Sequence, residues 1–353
     1  MSSGFTRGDR MPDIQRLNHA GESRMLYDLQ MGQPMVLVLC NDPEAADTRA
    51  VCDALAHDED NWGLLTRVAL ILGTPAQCSH LTGNASTGFT VLADDGAVAS
   101  HLLGHGLTGD RLIIAFAMDS NLRIIERIEH AAGKSLTDFL QQIRSVYQRE
   151  ASHAPQVLQQ QAPTLFIPRV LDTDLCGELI ALFEKDGGKP SGVAHIEGDK
   201  ALWRLDPSVK MRRDIYIKEG VLLEIIKGIL IRRALPEIVR CFNYRVTQHE
   251  VFKLVRYDAS TGGYFRPHRD NESRDTQHRR FAMTLNLNTG DYTGGQLRFP
   301  EFGPDLYQPE RGGALVFSCS LLHEVLPVTA GSRYVLLGFF FGDAEKIQPV
   351  DYV

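Results

Sequence analysis

The sequence lacks the long apolar segments and paired cysteines that would define several classes of protein. No apolar run approaches the roughly 18 to 20 residues of a membrane-spanning helix. The N-terminal stretch has no apolar core of a secretory signal. The six cysteines form no Cys-x-x-Cys pair, which argues against both a structural zinc site and a disulfide framework. We therefore expect a cytoplasmic protein with free thiols and no membrane partner.

The charge of the chain is divided unevenly. Its 353 residues are 43% hydrophobic and 23% charged, as in a globular protein long enough for two domains. Residues 1–159 hold 12 Lys and Arg against 19 Asp and Glu, whereas residues 160–353 hold 25 of each. The acidic first half argues against non-specific nucleic-acid binding. The balanced second half leaves room for a local basic patch.

A Gln-rich stretch with two prolines, residues 149–163, is typical of a linker. It predicts two domains, residues 1–148 and residues 164–353. In the first domain, strand-like and helix-like segments alternate, which predicts an α/β layer arrangement. The predicted strands are 35–40, 67–72, 89–92, 112–117 and 122–126, and the predicted helices are 43–57 and 135–147.

The second domain has a different pattern. Asp172 or Thr173 is predicted to cap a helix that runs to about residue 186, and 220–238 is predicted to be one long helix. Short strands separated by Gly and Pro turns then predict a β-sandwich or barrel, that is, a jelly roll with packed helices. These strands are 250–257, 281–288, 296–299, 313–318 and 333–341.

Two histidines and one aspartate form a candidate metal site in the second domain. His268 and Asp270 are two residues apart, so an extended backbone points both side chains to the same side. His323 follows a predicted strand and would complete the set from a neighbouring strand. Two imidazoles and one carboxylate leave three metal positions open, the facial arrangement used by non-haem iron(II) oxygenases.

Residues 160–345 resemble the iron(II)- and 2-oxoglutarate-dependent dioxygenases, in particular the prolyl 4-hydroxylase-like branch. The resemblance rests on several motifs: LFIPRVLDTDLC (165–176), RYDASTGGYFRPHRD (256–270), RFAMTLNLN (280–288), YTGGQLRFP (292–300), GGALVF (312–317) and HEVLPVTAGSR (323–333). It implies a double-stranded β-helix that holds Fe(II) through His268, Asp270 and His323. It also implies that Arg333 grips the 5-carboxylate of 2-oxoglutarate.

The same resemblance implies two further co-substrate residues and a reaction. Tyr257 matches a tyrosine near 2-oxoglutarate, and Asn286 stands where relatives often have a second tyrosine. The implied reaction uses O2, releases succinate and CO2, and hydroxylates a C–H bond; ascorbate is an optional further ligand. The substrate, peptidyl (prolyl-like) or small-molecule, and the oligomeric state, including a homodimer, are left open.

Basic residues surround the proposed site and allow two interpretations. They either attract an anionic or polymeric substrate or form a solvated rim with counter-charges at Glu272 and Asp275, and the second interpretation is favoured. The residues are Arg266, Arg269, Arg274, His278, Arg279, Arg280 and Arg298, with Lys210, Arg212 and Arg213 upstream.

Residues 1–148 resemble, more weakly, a thioredoxin-fold, peroxiredoxin-like domain. The matching pieces are GDRMP (8–12), the strand 35–40, LADDG (92–96) and FAMDSNLR (116–123). Such enzymes need a cysteine with a lowered pKa at a helix start, and residues 1–148 contain neither T-x-x-C nor C-x-x-C. Cys52 falls within the predicted helix and Cys40 ends a strand. We therefore expect a module without a catalytic cysteine.

Two rival functions are weighed against the dioxygenase. One is a thiol peroxidase or redox protein that uses the first domain, with the second domain as an accessory. The other is a binding module that keeps the dioxygenase fold without turnover. Cys52→Ser and Cys40→Ser variants discriminate the first rival, and detection of succinate discriminates the second.

Overall fold

The computed structural model divides the chain into two compact units, Met1–Pro155 and Gln156–Val353. It describes residues 4–57, 62–63, 65–81, 88–104, 113–130, 134–150, 155, 157–197 and 200–345. Within these residues no helix combines the length and the apolar content that crossing a bilayer requires.

The first unit is built on one mixed sheet flanked by helices. Its elements are β1 (Gln15–Asn18), β2 (Ser23–Met25), α1 (Leu26–Gln30), β3 (Met35–Cys40), α2 (Ala46–His57), β4 (Thr66–Leu72), α3 (Pro75–Cys78), a 3-10 turn (Ser79–Leu81), β5 (Phe89–Asp94), α4 (Ala97–Leu103), β6 (Ile113–Met118), β7 (Ile124–His130) and α5 (Leu136–Arg149). The strand order of the sheet is β2-β1-β5-β4-β3-β6-β7. The pairs β3–β4 and β4–β5 are parallel, and β6 and β7 add antiparallel strands at one edge.

Strand β3 shows why this sheet is buried on both faces. All six residues of MVLVLC are buried, and successive side chains point to opposite faces. Val36, Val38 and Cys40 pack into one apolar cluster. Met35 and Leu37 pack into the other, with Leu39. The predicted alternation of strands and helices is therefore confirmed as a mixed α/β arrangement.

The second unit consists of helices followed by many short strands. Its elements are β8 (Thr164–Ile167), α6 (Thr173–Asp186), β9 (Lys189–Pro190), β10 (Val193–Glu197), β11 (Lys200–Arg204), β12 (Lys210–Met211), β13 (Arg213–Ile217), α7 (Val221–Arg233), α8 (Leu235–Phe242), β14 (Gln248–His249), β15 (Phe252–Asp258), a 3-10 turn (Ala259–Thr261), β16 (Tyr264–His268), β17 (Phe281–Asn286), β18 (Thr293–Gly294), β19 (Leu297–Arg298), a 3-10 turn (Pro300–Phe302), β20 (Leu306–Tyr307), β21 (Ala314–Ser318), β22 (His323–Val325), β23 (Val328–Ala330) and β24 (Ser332–Phe341).

Two antiparallel sheets of this unit position the candidate site. The major sheet has the order β8-β21-β17-β24-β15-β13-β9, and the minor sheet has the order β12-β16-β22-β19-β20. Strand β15 shows the layering: Phe252 and Leu254 pack into the cluster that contains the helices. Val255 and Tyr257, on the other face, pack with Val325 of the minor sheet. The major sheet thus lies between the helices and the minor sheet.

One predicted helix was wrong in its extent. The segment 220–238 is two helices, because α7 ends at Arg233 and α8 begins at Leu235. Pro236 lies in the first turn of α8, where its missing N–H costs no hydrogen bond; inside a continuous helix it would remove one. The predicted cap of α6 is confirmed, since the Asp172 side chain accepts from the Leu175 N–H at 2.8 Å.

Candidate metal centre and its cavity

The minor sheet brings the three proposed metal ligands together. His268 ends β16 and stands directly opposite His323, the first residue of β22. Asp270 lies two residues beyond His268. One ligand atom from each residue lies within 4.8 Å of the others. The Nε2 atom of His268 is 3.5 Å from Asp270 Oδ1, and that of His323 is 3.3 Å from Asp270 Oδ2.

Backbone contacts orient both imidazoles toward this meeting point. His268 donates from Nδ1 to the Arg266 carbonyl at 2.7 Å, and His323 donates from Nδ1 to the Leu321 carbonyl at 2.9 Å. Because a neutral imidazole carries one proton, Nε2 keeps its lone pair for a metal. The Phe265 ring stacks on His268 with 3.5 Å between the ring centres. Both ligating nitrogens are therefore fixed before a metal binds.

Burial and mutual charge perturb the titration of the triad. Burial by itself raises the pKa of Asp270, but the charges and hydrogen bonds of His323 and His268 outweigh it and hold that pKa well below its usual range. Burial lowers the pKa of His268. For His323 burial acts in the same direction, but Asp270 outweighs it and the pKa of His323 is raised. The carboxylate stays ionised, as a metal ligand must.

Arg333 is a buried cation without a counter-charge. It is the second residue of the long strand β24 and is only 1% exposed. Its Nη2 donates to Thr284 Oγ1 at 3.3 Å and to Asn286 Oδ1 at 3.1 Å, and its Nε has no hydrogen-bond partner. No carboxylate within the described ranges forms an ion pair with it. A buried guanidinium in this state is poised to receive an anion.

The two other proposed co-substrate residues differ in whether they line the cavity. Tyr257 is 2% exposed and lines the same cavity, with its ring centre 5.4 Å from the Arg333 guanidinium carbon. Asn286 is fully buried behind Arg333. Its Nδ2 lies within hydrogen-bond distance of Thr289 Oγ1, Tyr292 Oη and the Pro309 carbonyl. Its polar atoms are engaged within the protein, so Asn286 positions Arg333 rather than facing the cavity.

The paired glycines before β19 make room for Arg333. A Cβ atom on Gly295 would lie 2.9 Å from Arg333 Cδ, and one on Gly294 would lie 2.3 Å from the Pro327 carbonyl oxygen. Both glycines also have positive φ, 79° at Gly294 and 68° at Gly295. The Gly-Gly motif is therefore required by the close approach of β23 and by the stem of the arginine.

The triad and Arg333 open into one cavity of about 990 Å³. Several further residues of its wall were missed by sequence reasoning: Thr284, Lys253, Tyr216, Phe265 and Phe339. The position of Lys253 could have been predicted from sequence. Every second residue of a strand points to the same face, so Lys253 shares the inward face of β15 with Val255 and Tyr257.

Most of the predicted basic rim has acidic partners. Arg269 contacts Glu301 at 2.6 Å and Glu272 at 3.4 Å. The remaining contacts are Arg279 with Glu250 at 2.5 Å, Arg280 with Glu345 at 2.8 Å, Arg298 with Glu324 at 2.5 Å and Arg212 with Asp214 at 3.0 Å. The interpretation as a counter-charged rim is confirmed for these residues, although the partners are mostly not the predicted Glu272 and Asp275.

The thiols of the first unit are poorly suited to nucleophilic chemistry. Cys52 lies in the middle of α2 and Cys40 at the end of β3, and both are buried. Burial raises the pKa of Cys52 far above its usual value and that of Cys40 to about 12. A peroxidatic cysteine needs the opposite shift.

Comparison with known proteins agrees with the geometry of the second unit. Residues 252–341 match the family model described as the 2OG-Fe(II) oxygenase superfamily. A procollagen-lysine,2-oxoglutarate 5-dioxygenase from Drosophila melanogaster is 24% identical over 189 residues, which are 52% of this chain and 25% of the relative. The chain thus spans about a quarter of the length of this relative.

Two solved structures are also similar to parts of the chain. A prolyl-4-hydroxylase from Pseudomonas putida has a TM-score of 0.39 and 20% identity, and the match covers 52% of this chain and 94% of that one. A peroxidoxin from Mycobacterium tuberculosis has a TM-score of 0.37 and 15% identity, with 42% and 99% covered. The family match shows that the chain carries a 2OG-Fe(II) oxygenase domain, as the sequence resemblance implied. The matched stretch contains His268, Asp270, His323 and Arg333.

Proposed function

We propose that the second unit is an Fe(II)- and 2-oxoglutarate-dependent dioxygenase that hydroxylates a C–H bond of a peptidyl or small-molecule substrate. The observation that carries this proposal is the buried Arg333 guanidinium, without a counter-charge, in the same cavity as the His268, Asp270 and His323 cluster. The relative named above acts on procollagen lysine, which supports a peptide substrate.

The residues present fit the two groups that the family implies. Two imidazole nitrogens and one carboxylate are the donor set for ferrous iron with positions left for other ligands. Arg333 fits the 5-carboxylate of 2-oxoglutarate, because its planar fork pairs with both carboxylate oxygens. When bound, the iron and the keto acid supply the oxidising chemistry: 2-oxoglutarate and O2 give succinate and CO2, and the substrate C–H becomes C–OH.

The protein orients the metal ligands and the keto acid, and it excludes water from the cavity. The carbonyls of Arg266 and Leu321 hold the two imidazoles in the metal-binding tautomer. Thr284 and Asn286 fix the Arg333 fork, so the keto acid would be held in one orientation. The Tyr257 ring covers the guanidinium and excludes water, which strengthens the pairing of charges inside the cavity.

We also propose finer descriptions of the two folds. The major and minor sheets would form the double-stranded β-helix, since they share two apolar clusters and the minor sheet carries the triad. The mixed sheet of the first unit would be a thioredoxin-like domain that lacks a catalytic cysteine, which the buried thiols support.

The test is anaerobic addition of iron(II) and 2-oxoglutarate to metal-free protein while the visible charge-transfer band of a chelated keto acid is recorded. We expect a band that weakens or disappears in His268→Ala and Arg333→Ala. The matched controls are His80→Ala and Arg311→Ala, at exposed positions outside the cavity. A wild-type protein that gives no band, and no succinate in air, contradicts the proposal.

A further inference from the structure

Lys253 places a positive charge in the wall of the candidate site. It is half-buried on β15, opposite Tyr216 of β13 and Leu337 of β24. Its Nζ lies 5.3 Å from the centre of the Tyr216 ring and 5.6 Å from that of Phe339. Ring faces attract an ammonium ion, so these contacts hold its position. They do not neutralise its charge.

Lys253 differs from three arginines in the cavity wall because no described acidic residue forms an ion pair with it. Arg212, Arg269 and Arg279 each contact a carboxylate at 3.0 Å or less. Within the described part of the chain, Lys253 has neither an ion pair nor a hydrogen bond from its ammonium group. Lys218 also lines the cavity, but it is exposed and water can solvate it.

A second lysine of the wall lies near the triad. The Nζ of Lys210 is 5.1 Å from the centre of the Phe265 ring, which stacks on His268. Lys253 is linked to the triad by a series of contacts. The Phe339 ring, which Lys253 contacts, also lies 3.9 Å from the guanidinium carbon of Arg279. Arg279 Nη1 in turn donates to the Asp270 carbonyl at 3.1 Å. Both ammonium groups therefore lie along the cavity that leads to the metal site.

The two lysines are held at a cost in solvation. Burial, followed by the neighbouring Arg212, lowers the pKa of Lys253 to about 8 and that of Lys210 to about 7. An inward-facing lysine adds nothing to the apolar core that a leucine would not supply better. An anion bound at Lys253 would restore the solvation that its ammonium group has lost.

We propose that the substrate carries an anionic group, a carboxylate or a phosphate, that binds at Lys253 with support from Lys210. This inference rests on the proposed function, because it assigns the charge of the substrate of that same site. The 2-oxoglutarate carboxylate is assigned to Arg333, so Lys253 is left for the substrate. A lysine recognises either anion as a point charge, so three sources share this chemistry: an acidic side chain, a free amino acid and a phosphorylated residue.

The first experiment measures acylation of Lys253 by an amine-reactive acetyl ester, with peptide mass spectrometry, in protein saturated with iron(II) and 2-oxoglutarate under argon. Each anionic probe is paired with a neutral counterpart: capped Ala-Glu-Ala with capped Ala-Gln-Ala, free glutamine with glutaminamide, and capped phosphoserine with capped serine. We expect at least one anionic probe to slow acylation of Lys253 while the exposed Lys185 reacts unchanged. The probe that slows the acylation of Lys253 identifies which of the three sources supplies the anion.

The second experiment measures the Kd of the six probes by calorimetry in the wild type and two variants. We expect Lys253→Met to weaken the anionic probe by about tenfold to a hundredfold, the worth of one charge-assisted contact. Lys185→Met is the control for the same change at an exposed helix position, and it should bind like the wild type.

Failure of this inference is distinguishable from failure of the proposed function. If the keto-acid band forms but no anionic probe binds or protects Lys253, or if neutral probes do so equally, the anion site is refuted and the dioxygenase stands. If Lys253→Met does not fold, protection in the wild type decides alone. If the band itself is absent, the proposed function has failed.

Discussion

Gly295→Ala is the sharpest test of how the fold holds the co-substrate arginine. An added Cβ would lie 2.9 Å from Arg333 Cδ and 2.9 Å from Val328 Cγ2, whereas ordinary contacts are 3.4 Å or more. Arg333 would have to move by about 0.5 Å to restore an ordinary contact. A shift of that size away from Thr284 and Asn286 would lengthen its hydrogen bonds from 3.3 and 3.1 Å to about 3.8 and 3.6 Å, which is beyond hydrogen-bonding range.

The expected loss of affinity for 2-oxoglutarate can be distinguished from the effect of backbone strain. Losing one hydrogen bond to a charged group costs about 1.5–3 kcal/mol, so the Kd of 2-oxoglutarate should rise by about tenfold to a hundredfold. Gly262 has the same φ of +68° but no atom within 4 Å of its added Cβ. Gly262→Ala therefore carries the strain of a left-handed alanine, about 1–2 kcal/mol, without the collision.

The assay is anaerobic titration of the keto-acid band with iron(II)-loaded protein, together with urea unfolding of each variant. We expect both alanine variants to lose stability, Gly295→Ala by about 1–3 kcal/mol more because of overpacking. Only Gly295→Ala should bind 2-oxoglutarate weakly. If a folded Gly295→Ala binds it as tightly as Gly262→Ala does, the reasoning is refuted. Should it not fold, adding Val328→Ala removes one of the two collisions and keeps the test.

Further predictions concern the residues around the site and the first unit. Asn286→Leu removes the acceptor for Arg333 Nη2, so the Kd of 2-oxoglutarate should rise about tenfold in the same titration while iron affinity stays unchanged; unchanged Kd would contradict the positioning role. In metal-free protein the depressed pKa of Asp270 adds stability above about pH 3.9, and this stability is lost as the pH falls through the pKa of the folded protein. The raised pKa of His323 adds stability below about pH 6.5, and this stability is lost as the pH rises through the pKa of His323 in the folded protein. Urea midpoints of Asp270→Asn should therefore vary less with pH than those of the wild type. If the midpoints of the two proteins change with pH in parallel, this reasoning is refuted. Cys52→Ser should cost about 1–3 kcal/mol of stability, because it buries a hydroxyl, yet leave succinate release per folded molecule unchanged; loss of succinate release would revive the thiol hypothesis.

The triad could be predicted from sequence because its geometry is local or recurrent. His268 and Asp270 are placed by backbone spacing alone, and His323 is placed by a strand that directly neighbours β16. The helix break at Ala234 was not predicted, because Pro236 near the end of one long helix and Pro236 in the first turn of a second helix give the same local pattern. What separates them is the packing of each helix, which sequence spacing does not specify.

The basic residues show where sequence reasoning ends. On the printed sequence, Lys253 and Arg279 are equivalent cations near an apolar run. The fold distinguishes them, because register brings Glu250 to within 2.5 Å of Arg279, whereas Lys253 contacts the aromatic rings of Tyr216 and Phe339 and forms no ion pair with a described residue. A cation paired at short range contributes little to the field that a ligand experiences, whereas an unpaired, half-buried cation contributes nearly its whole charge. The charge preference of the cavity is therefore decided by pairing across strands, and the number of basic residues in the segment does not predict it.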